Sequence, residues 1–340
     1  MIRIIEGDPF AVGEALGQMG KQALGKLYEC ADWQRLQKWR GGRVLGKLIE
    51  RTQKAFPEYW EEIRGIGAGL GMAPADVFLW NCRNDLLATS GATSSSIAVN
   101  RLGAAMVAQW LHDDPVLAAS SEVVEVRPQG KPGFLAPCLP ACIPGVGFAA
   151  NRAGVVQVID NIEGGEFSLG IPSAVIGRAV LDAGSLADAV ALVMECERMG
   201  SCHHTLAAAG EFVMVGIEAD PLDRSLVPIA NKYCHANHRR SAQGPACGKV
   251  RHSSAHRHAA LESLLARMPA YPLEEDVLPL LDPMASRASD APGTSPLHPA
   301  NGDVGTAFFK ITPEQIHVRL WHSSAGQPRH LIVDVEANAA

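Results

Sequence analysis

Close to residue 90 the period of this chain changes, and no other feature restricts its fold as much. Before that point apolar residues recur at helical intervals. Phe10, Val12, Leu16, Met19, Leu24 and Leu27 follow Asp8-Pro9, a cap residue with proline in the first turn. A second helical stretch covers residues 44–69, with Phe56-Pro57 as a break, and Pro74-Ala-Asp-Val-Phe-Leu-Trp opens a third. The first ninety residues therefore read as helical. From Thr93 the chain is short-period and rich in small residues. It predicts a strand, a reversal at Arg101-Leu-Gly and a second strand ending near Trp110. Further strands are expected at 121–126, 147–150, 155–161, 211–218, 226–230, 306–311, 316–320 and 331–335. Helices are expected at 173–183, at 185–198 with Ser185 as cap, and at 254–268, while 279–303 is punctuated by prolines and reads as loop. Two runs of strands with helices between and outside predict an α+β fold of stacked sheets covered by helices.

Composition allows such a fold. Of 340 residues 47% are hydrophobic and 19% charged, enough to bury a sizeable core and too apolar for a disordered chain. Thirty basic against 36 acidic residues, with no block of one sign, leave no footprint for nucleic acid. The longest apolar stretches, such as 179–194, are interrupted by Asp182, Ser185 and Asp188, so no membrane span is expected. The amino terminus lacks the basic-then-apolar order of a signal peptide, and the eight cysteines form no Cys-x-x-Cys pair. Reduced thiols in the cytoplasm are the expectation. Gly65, Gly67 and Gly69 formally resemble a dinucleotide loop, but they follow a helical pattern rather than a strand.

Several motifs recur in one order: Phe56-Pro-Glu-Tyr-Trp-Glu-Glu-Ile-Arg-Gly-Ile-Gly-Ala-Gly, Asn81-Cys-Arg-Asn-Asp85, Gly91-Ala-Thr-Ser, and Gly147-Phe-Ala-Ala-Asn-Arg-Ala-Gly154 leading to Asn161. Gly170-Ile-Pro-Ser, Arg178, His235-Ala-Asn-His238 and Ser253-Ser-Ala-His-Arg257 follow. Together they resemble the acyl-coenzyme A:6-aminopenicillanate (isopenicillin N) acyltransferase family over nearly the whole chain. The resemblance implies an N-terminal nucleophile hydrolase fold, a four-layer αββα sandwich over 1–340. It implies a precursor cut between Gly91 and position 92 into a helical pro-segment, 1–91, and a catalytic chain, 92–340. In the family a cysteine opens the catalytic chain, its sulfur acting as nucleophile and its α-amine as base, which suits an amine pKa of roughly 8.

Here that position is Ala92, and a methyl group cannot attack a carbonyl. An engineered cysteine-to-alanine change and a naturally inactive relative both account for it. Thr93, with Ser94 to Ser96 behind it, and Cys82 are the nearby alternative nucleophiles, with strand hydroxyls and a buried structural thiol as their plainer roles. The resemblance assigns the oxyanion donor to Asn237. It places the family's acidic residue, in the run Gln109-Trp110-Leu111-His112-Asp113, on His112 or Asp113. Thr93, Trp110, His203, His204 and Arg178 are the implied substrate-side residues, although Arg178 also fits a role pinning a helix. The family's late Ser-Arg pair falls on Gly302 and Asp303, so substrate recognition is expected to differ.

The resemblance implies an amidohydrolase or acyltransferase acting on a small linear amide, an N-acyl or β-alanyl amine or a similar specialised metabolite. No cofactor is implied; an amine or acyl-thioester co-substrate and self-association are left open. Two other readings stand beside it. One is a zinc hydrolase using His235, His238, His252 and His256, whose spacings suit zinc, although Arg239, Arg240, Arg251 and Arg257 would repel a cation. The other is a catalytically dead binding homologue.

Overall fold

The computed structural model describes residues 2–87, 89–101, 104–164, 167–240, 252–281, 302–321 and 328–336. From the amino terminus the elements are β1 (Arg3–Gly7), α1 (Pro9–Gly20), α2 (Leu24–Glu29), α3 (Ala31–Leu36), α4 (Arg43–Ala55), α5 (Pro57–Leu70), α6 (Pro74–Asn81), α7 (Arg83–Leu86), β2 (Thr93–Val99), β3 (Ala105–His112), α8 (Pro115–Ala118), β4 (Glu122–Pro128) and β5 (Phe134–Cys138). Then come β6 (Ala149–Asn151), β7 (Val155–Asn161), α9 (Ser173–Val180), α10 (Leu186–Glu195), β8 (Cys202–Ala208), β9 (Met214–Ala219), β10 (Arg224–Ile229), β11 (Lys232–His235), α11 (His252–Arg267), α12 (Glu274–Leu281), β12 (Asp303–Ile311), β13 (Gln315–Trp321) and β14 (Arg329–Asp334).

Among the described residues these strands form an eight-stranded sheet, ordered β1-β4-β5-β6-β7-β8-β9-β10, and a six-stranded sheet, β11-β2-β3-β12-β13-β14. The pairing is antiparallel apart from β1 with β4. Alternation along β2 and β3 sends Ile97, Val99, Met106, Ala108 and Trp110 to one face of the smaller sheet, where they pack against Leu261 and Leu265 of α11 and Val277 and Leu281 of α12. Ala98, Val107 and Leu111 point the opposite way and join the main core, which also holds the strands of the larger sheet and the helices α1, α5, α9 and α10 beyond it. The result is the expected α+β, four-layer αββα sandwich. No described helix is long and apolar enough to cross a membrane.

Several local expectations hold. Asp8 caps α1 by accepting the Ala11 amide at 2.9 Å, Phe56 separates α4 from α5, and Ser185 caps α10 by accepting the Asp188 amide at 3.1 Å. Others need correction. The helical first ninety residues include a strand, β1, which pairs in parallel with β4, so the amino-terminal segment is woven into the larger sheet. β5, β8 and β11 also lie outside the expected strands. β5 contains Pro137 and β8 opens on Cys202-His203-His204-Thr205, so neither shows the apolar alternation that marks a strand. α12 extends through Pro279 to Leu281, where loop was expected; residues 282–301 of that stretch lie outside the described residues, as does Leu102-Gly103 of the first reversal.

The glycines that mimic a dinucleotide loop are a helix-packing device. Gly65 and Gly69 of α5 meet Gly13 and Gly17 of α1 backbone to backbone. A methyl group on Gly65 would stand 2.1 Å from the Phe10 carbonyl oxygen, and one on Gly13 2.0 Å from that of Glu62. Gly65→Ala is therefore expected to lower the unfolding free energy by about 1–3 kcal/mol. In exposed Gly46 of α4 nothing lies within 4 Å of an added methyl. Gly46→Ala should be stabilising by about 0.5–1 kcal/mol, through helix propensity alone. Denaturant unfolding of the two variants checks both signs.

Candidate active site

The turn Ser90-Gly91 delivers Ala92 to the start of β2, where Thr93 pairs with His112 of β3. Ala92, Thr93 and Ser94 line a small cavity with Asn81, Asn161 and Asn237, closed by apolar contributions from Leu111, Val146, Ile159 and Cys202. Its volume of about 30 Å³ suits one or two waters.

Asn237 follows β11 and is held on every side. Its Oδ1 accepts from the Ser94 amide at 3.0 Å and from Arg257 Nη2 at 2.8 Å, while its own amide nitrogen donates to Ser254 Oγ at 2.9 Å. Two donors on Oδ1 fix the amide orientation. Nδ2 donates to the Asn161 carbonyl at 2.9 Å and makes only a long 3.4 Å contact with Ser94 Oγ. Arg257, on α11, also donates to the Ser94 carbonyl and to Ser95 Oγ at 2.7 Å. It thus braces both Asn237 and the strand that begins at Thr93, a role that a single arginine in a helical pattern does not announce.

Gly91, which precedes the 91–92 peptide, is held by one carboxylate and has a second nearby. Gly91 donates its amide to Asp32 Oδ2 at 2.8 Å, and Asp32 is bonded by Arg35, which also donates to the Thr89 carbonyl at 2.6 Å. Asp113 Oδ1 lies 3.7 Å from where a Gly91 side chain would begin. Between the two acid candidates, Asp113 is therefore the group at this peptide. His112, two residues beyond Trp110, follows that residue's side of the strand. Asp113 Oδ2 accepts from Arg83 Nη2 at 2.7 Å in a buried ion pair, and Arg83 lies over the Trp80 ring. Neither Asp32 nor Arg83 was singled out from the sequence; both come from the helical segment, remote in sequence from the strand they brace.

The remaining expected residues lie elsewhere. Trp110 packs against α11 and α12, on the far face of its sheet from the cavity. Arg178 is consumed by Glu62 at 3.0 Å and Asp182 at 2.7 Å, and its guanidinium lies over Tyr59 and Phe134, so it pins α9 to α5. His204 faces Cys202 and Gln157 at 3.2 and 3.3 Å, and burial pushes it well below the usual histidine range. His203 points between the sheets. Cys82 is fully buried, and burial raises its thiol well above the ordinary value. The three zinc-spaced histidines whose side chains are described do not converge: His235 turns toward Glu218 and Asp160, His238 toward Ser254 and the His258 ring, and His256 is exposed. The side chain of His252 lies outside the described residues.

One polar assembly was not visible in the sequence. Asp160, His203 and Glu218 stand directly opposite one another on β7, β8 and β9. His235, Ser96 and Gln109 do the same on β11, β2 and β3. The two rows face each other across the sandwich. Ser96 Oγ and Gln109 Nε2 donate to Asp160, and Glu218 accepts from His235 Nε2 at 2.9 Å. Burial pushes His235 down to about 4, reinforced by its neighbour His203. Burial alone would raise Asp160, but His203, His235 and Ser94 together hold it below the ordinary carboxylate value.

The four-layer αββα sandwich is of the N-terminal nucleophile hydrolase-like α+β type. A family profile described as acyl-coenzyme A:6-aminopenicillanic acid acyl-transferase matches residues 114–286, and the chain belongs to that family. Among curated proteins none matches the chain.

Asp85, in the motif at 81–85, accepts from the amide and hydroxyl of Ser173 at 2.9 and 2.6 Å, joining α7 to the start of α9. Burial raises its carboxyl to about 6 against those bonds. The folded state then holds a proton that the unfolded chain releases near its ordinary value of 3.8, so this group's contribution to stability is present below that pH and lost as pH rises through about 6. Asp85→Asn can keep the Ser173 amide bond on Oδ1, with the hydroxyl turned to accept from Nδ2, and removes the titration. Urea midpoints measured from pH 4 to 7 are expected to fall more steeply in the parent than in this variant.

Proposed function

We propose an acyltransferase or hydrolase activity, which family membership supports. We propose, more specifically, that the chain is the precursor form of a self-processing amidase or acyltransferase whose nucleophile belongs at position 92. The observation that carries this reading is the placement of the 91–92 peptide: at the head of β2, on a cavity shared with Asn237, with Asp113 and Asp32 beside it.

In a protein with cysteine restored there, the thiol attacks the Gly91 carbonyl and the 91–92 carbon–nitrogen bond breaks. The nitrogen takes the thiol proton, and water hydrolyses the resulting thioester to leave a Gly91 carboxylate and a free α-amine. Asp32 and Arg35 position the segment entering this peptide. Asp113, already paired with Arg83, is placed to hold the new ammonium or the substrate amine. The new Gly91 carboxylate would sit near Asp32 and Asp113, and like-charge repulsion favours its displacement, which opens the small cavity to a substrate.

The substrate we propose is a linear amide such as an N-acyl or β-alanyl amine. Thiolate attack on its carbonyl gives an oxyanion within reach of Asn237 Nδ2 and releases the amine. Water or a second amine then takes the acyl group. With alanine at 92 the present chain has no sulfur for either step and remains one piece.

Intact mass of Ala92→Cys tests the reading. Two chains corresponding to 1–91 and 92–340 are expected; a single chain of 36.1 kDa after long incubation would overturn it. In the Ala92→Cys background, Asn237→Ala is expected to lower kcat by about 100- to 1,000-fold while leaving KM nearly unchanged.

A further inference from the structure

We propose that the facing polar rows between the sheets form a binding site for a first-row divalent metal ion, with Asp160 Oδ2, His203 Nδ1 and His235 Nδ1 as ligands. All three side chains are fully buried, and Asp160 and His203 come from one sheet while His235 comes from the other. Asp160 Oδ2 stands 3.6 Å from His203 Nδ1 and 3.7 Å from His235 Nδ1. These separations are long for hydrogen bonds, and both Nδ1 atoms lack a hydrogen-bond partner. They are close to the spacing of about 3.3–3.6 Å between ligands of a tetrahedral ion bound at roughly 2.0–2.2 Å.

Hydrogen bonding around the three atoms is that of a ligand set. A carboxylate only accepts, so the 2.9 Å contact between Glu218 and His235 puts a proton on Nε2 and leaves the lone pair of a neutral ring on Nδ1, facing Asp160. The Tyr233 oxygen, 3.1 Å from His203 Nε2, can accept from Nε2–H, and in that tautomer His203 presents the same lone pair. Ser96 and Gln109 orient the Asp160 carboxylate. Two lone pairs and an anionic oxygen thus lie side by side in a fully buried cluster. A divalent ion there would also balance the buried charges of Asp160 and Glu218. The two imidazoles stack at 3.8 Å with 9° between their planes, so ligation in both ring planes requires them to splay about their shared contact. The bound ion would cross-link the two sheets below the strand that carries Ala92. This inference does not depend on the nucleophile, because Ala92 is not among the ligands.

Metal content of the full-length, untagged chain, expressed with zinc and cobalt supplements and desalted, tests the site by plasma mass spectrometry and by the cobalt absorption spectrum. About one equivalent per chain is expected, with nitrogen-ligated tetrahedral cobalt bands and a loss of about tenfold or more in His203→Gln. Unfolding in chelator and refolding without metal should lower Tm, and zinc should restore it. Less than about a tenth of an equivalent, with a Tm indifferent to zinc, would overturn the proposal. Should His203→Gln fail to fold, the surface variant His256→Gln/His317→Gln/His330→Gln decides. Metal retained there supports the buried site, and metal lost there shows adventitious surface binding and overturns it.

Discussion

Face-to-face packing of the two sheets leaves β3 and β8 with no exposed residue, and β2 and β7 with almost none. The other features follow from that constraint. Polar residues on the inner faces have no water to turn to, so each must find a partner across the sandwich or along its own sheet. Ser94, Ser96, Gln109, Asp160, His203, His235 and Asn237 form a continuous buried set for this reason. Such a network is costly to bury and unforgiving of a missing partner, which fixes strand register more tightly than apolar packing does. A one-residue slip of β8 would take His203 away from Asp160 and Glu218 and put His204 in its place.

The helical first segment is bound to the sandwich by different means at each end. β1 adds a strand to the larger sheet, and α5 approaches α1 so closely that glycine is needed on both helices. Near the 91–92 peptide the attachment is polar. Asn81 bonds the Ala141 carbonyl and the Ile143 amide, Arg83 pairs with Asp113, and Asp85 takes both donors of Ser173. These groups are anchored on both sides of the proposed cut. Breaking one peptide bond would leave most of the interface intact and free only the short end that runs beside Asp32. Under the proposed function, the segment acts as a permanent wall of the site rather than as a discarded leader.

Much of this architecture is legible along the chain. Helical spacing with Asp8-Pro9, the Phe56-Pro57 break and the Ser185 cap are local signals, and local chemistry carries them into the structure unchanged. The limits of β7 and the β2–β3 pair are legible for the same reason. β5 and β8 are not: β5 carries Pro137, which argues against a strand, and β8 opens on Cys202-His203-His204-Thr205 with no apolar alternation to mark it. The acid ambiguity is equally instructive. Aligned without gaps the motif puts the acid on His112, with Asp113 adjacent, whereas the structure sets the Asp113 carboxylate, just past the end of β3, beside Gly91.

What the linear order of residues determines here is the set of elements with local signals, the family, and the identity of position 92 as alanine. What only the tertiary structure decides is which distant groups meet. Asp32 and Gly91 are 59 positions apart, and Asp160, His203 and His235 converge through one strand register within a sheet and one packing contact between sheets. Local propensity can encode a helix or a turn, because its determinants lie a few residues apart. The meeting of side chains from opposite sheets depends on how those sheets stack, a property of the buried whole that no segment carries by itself.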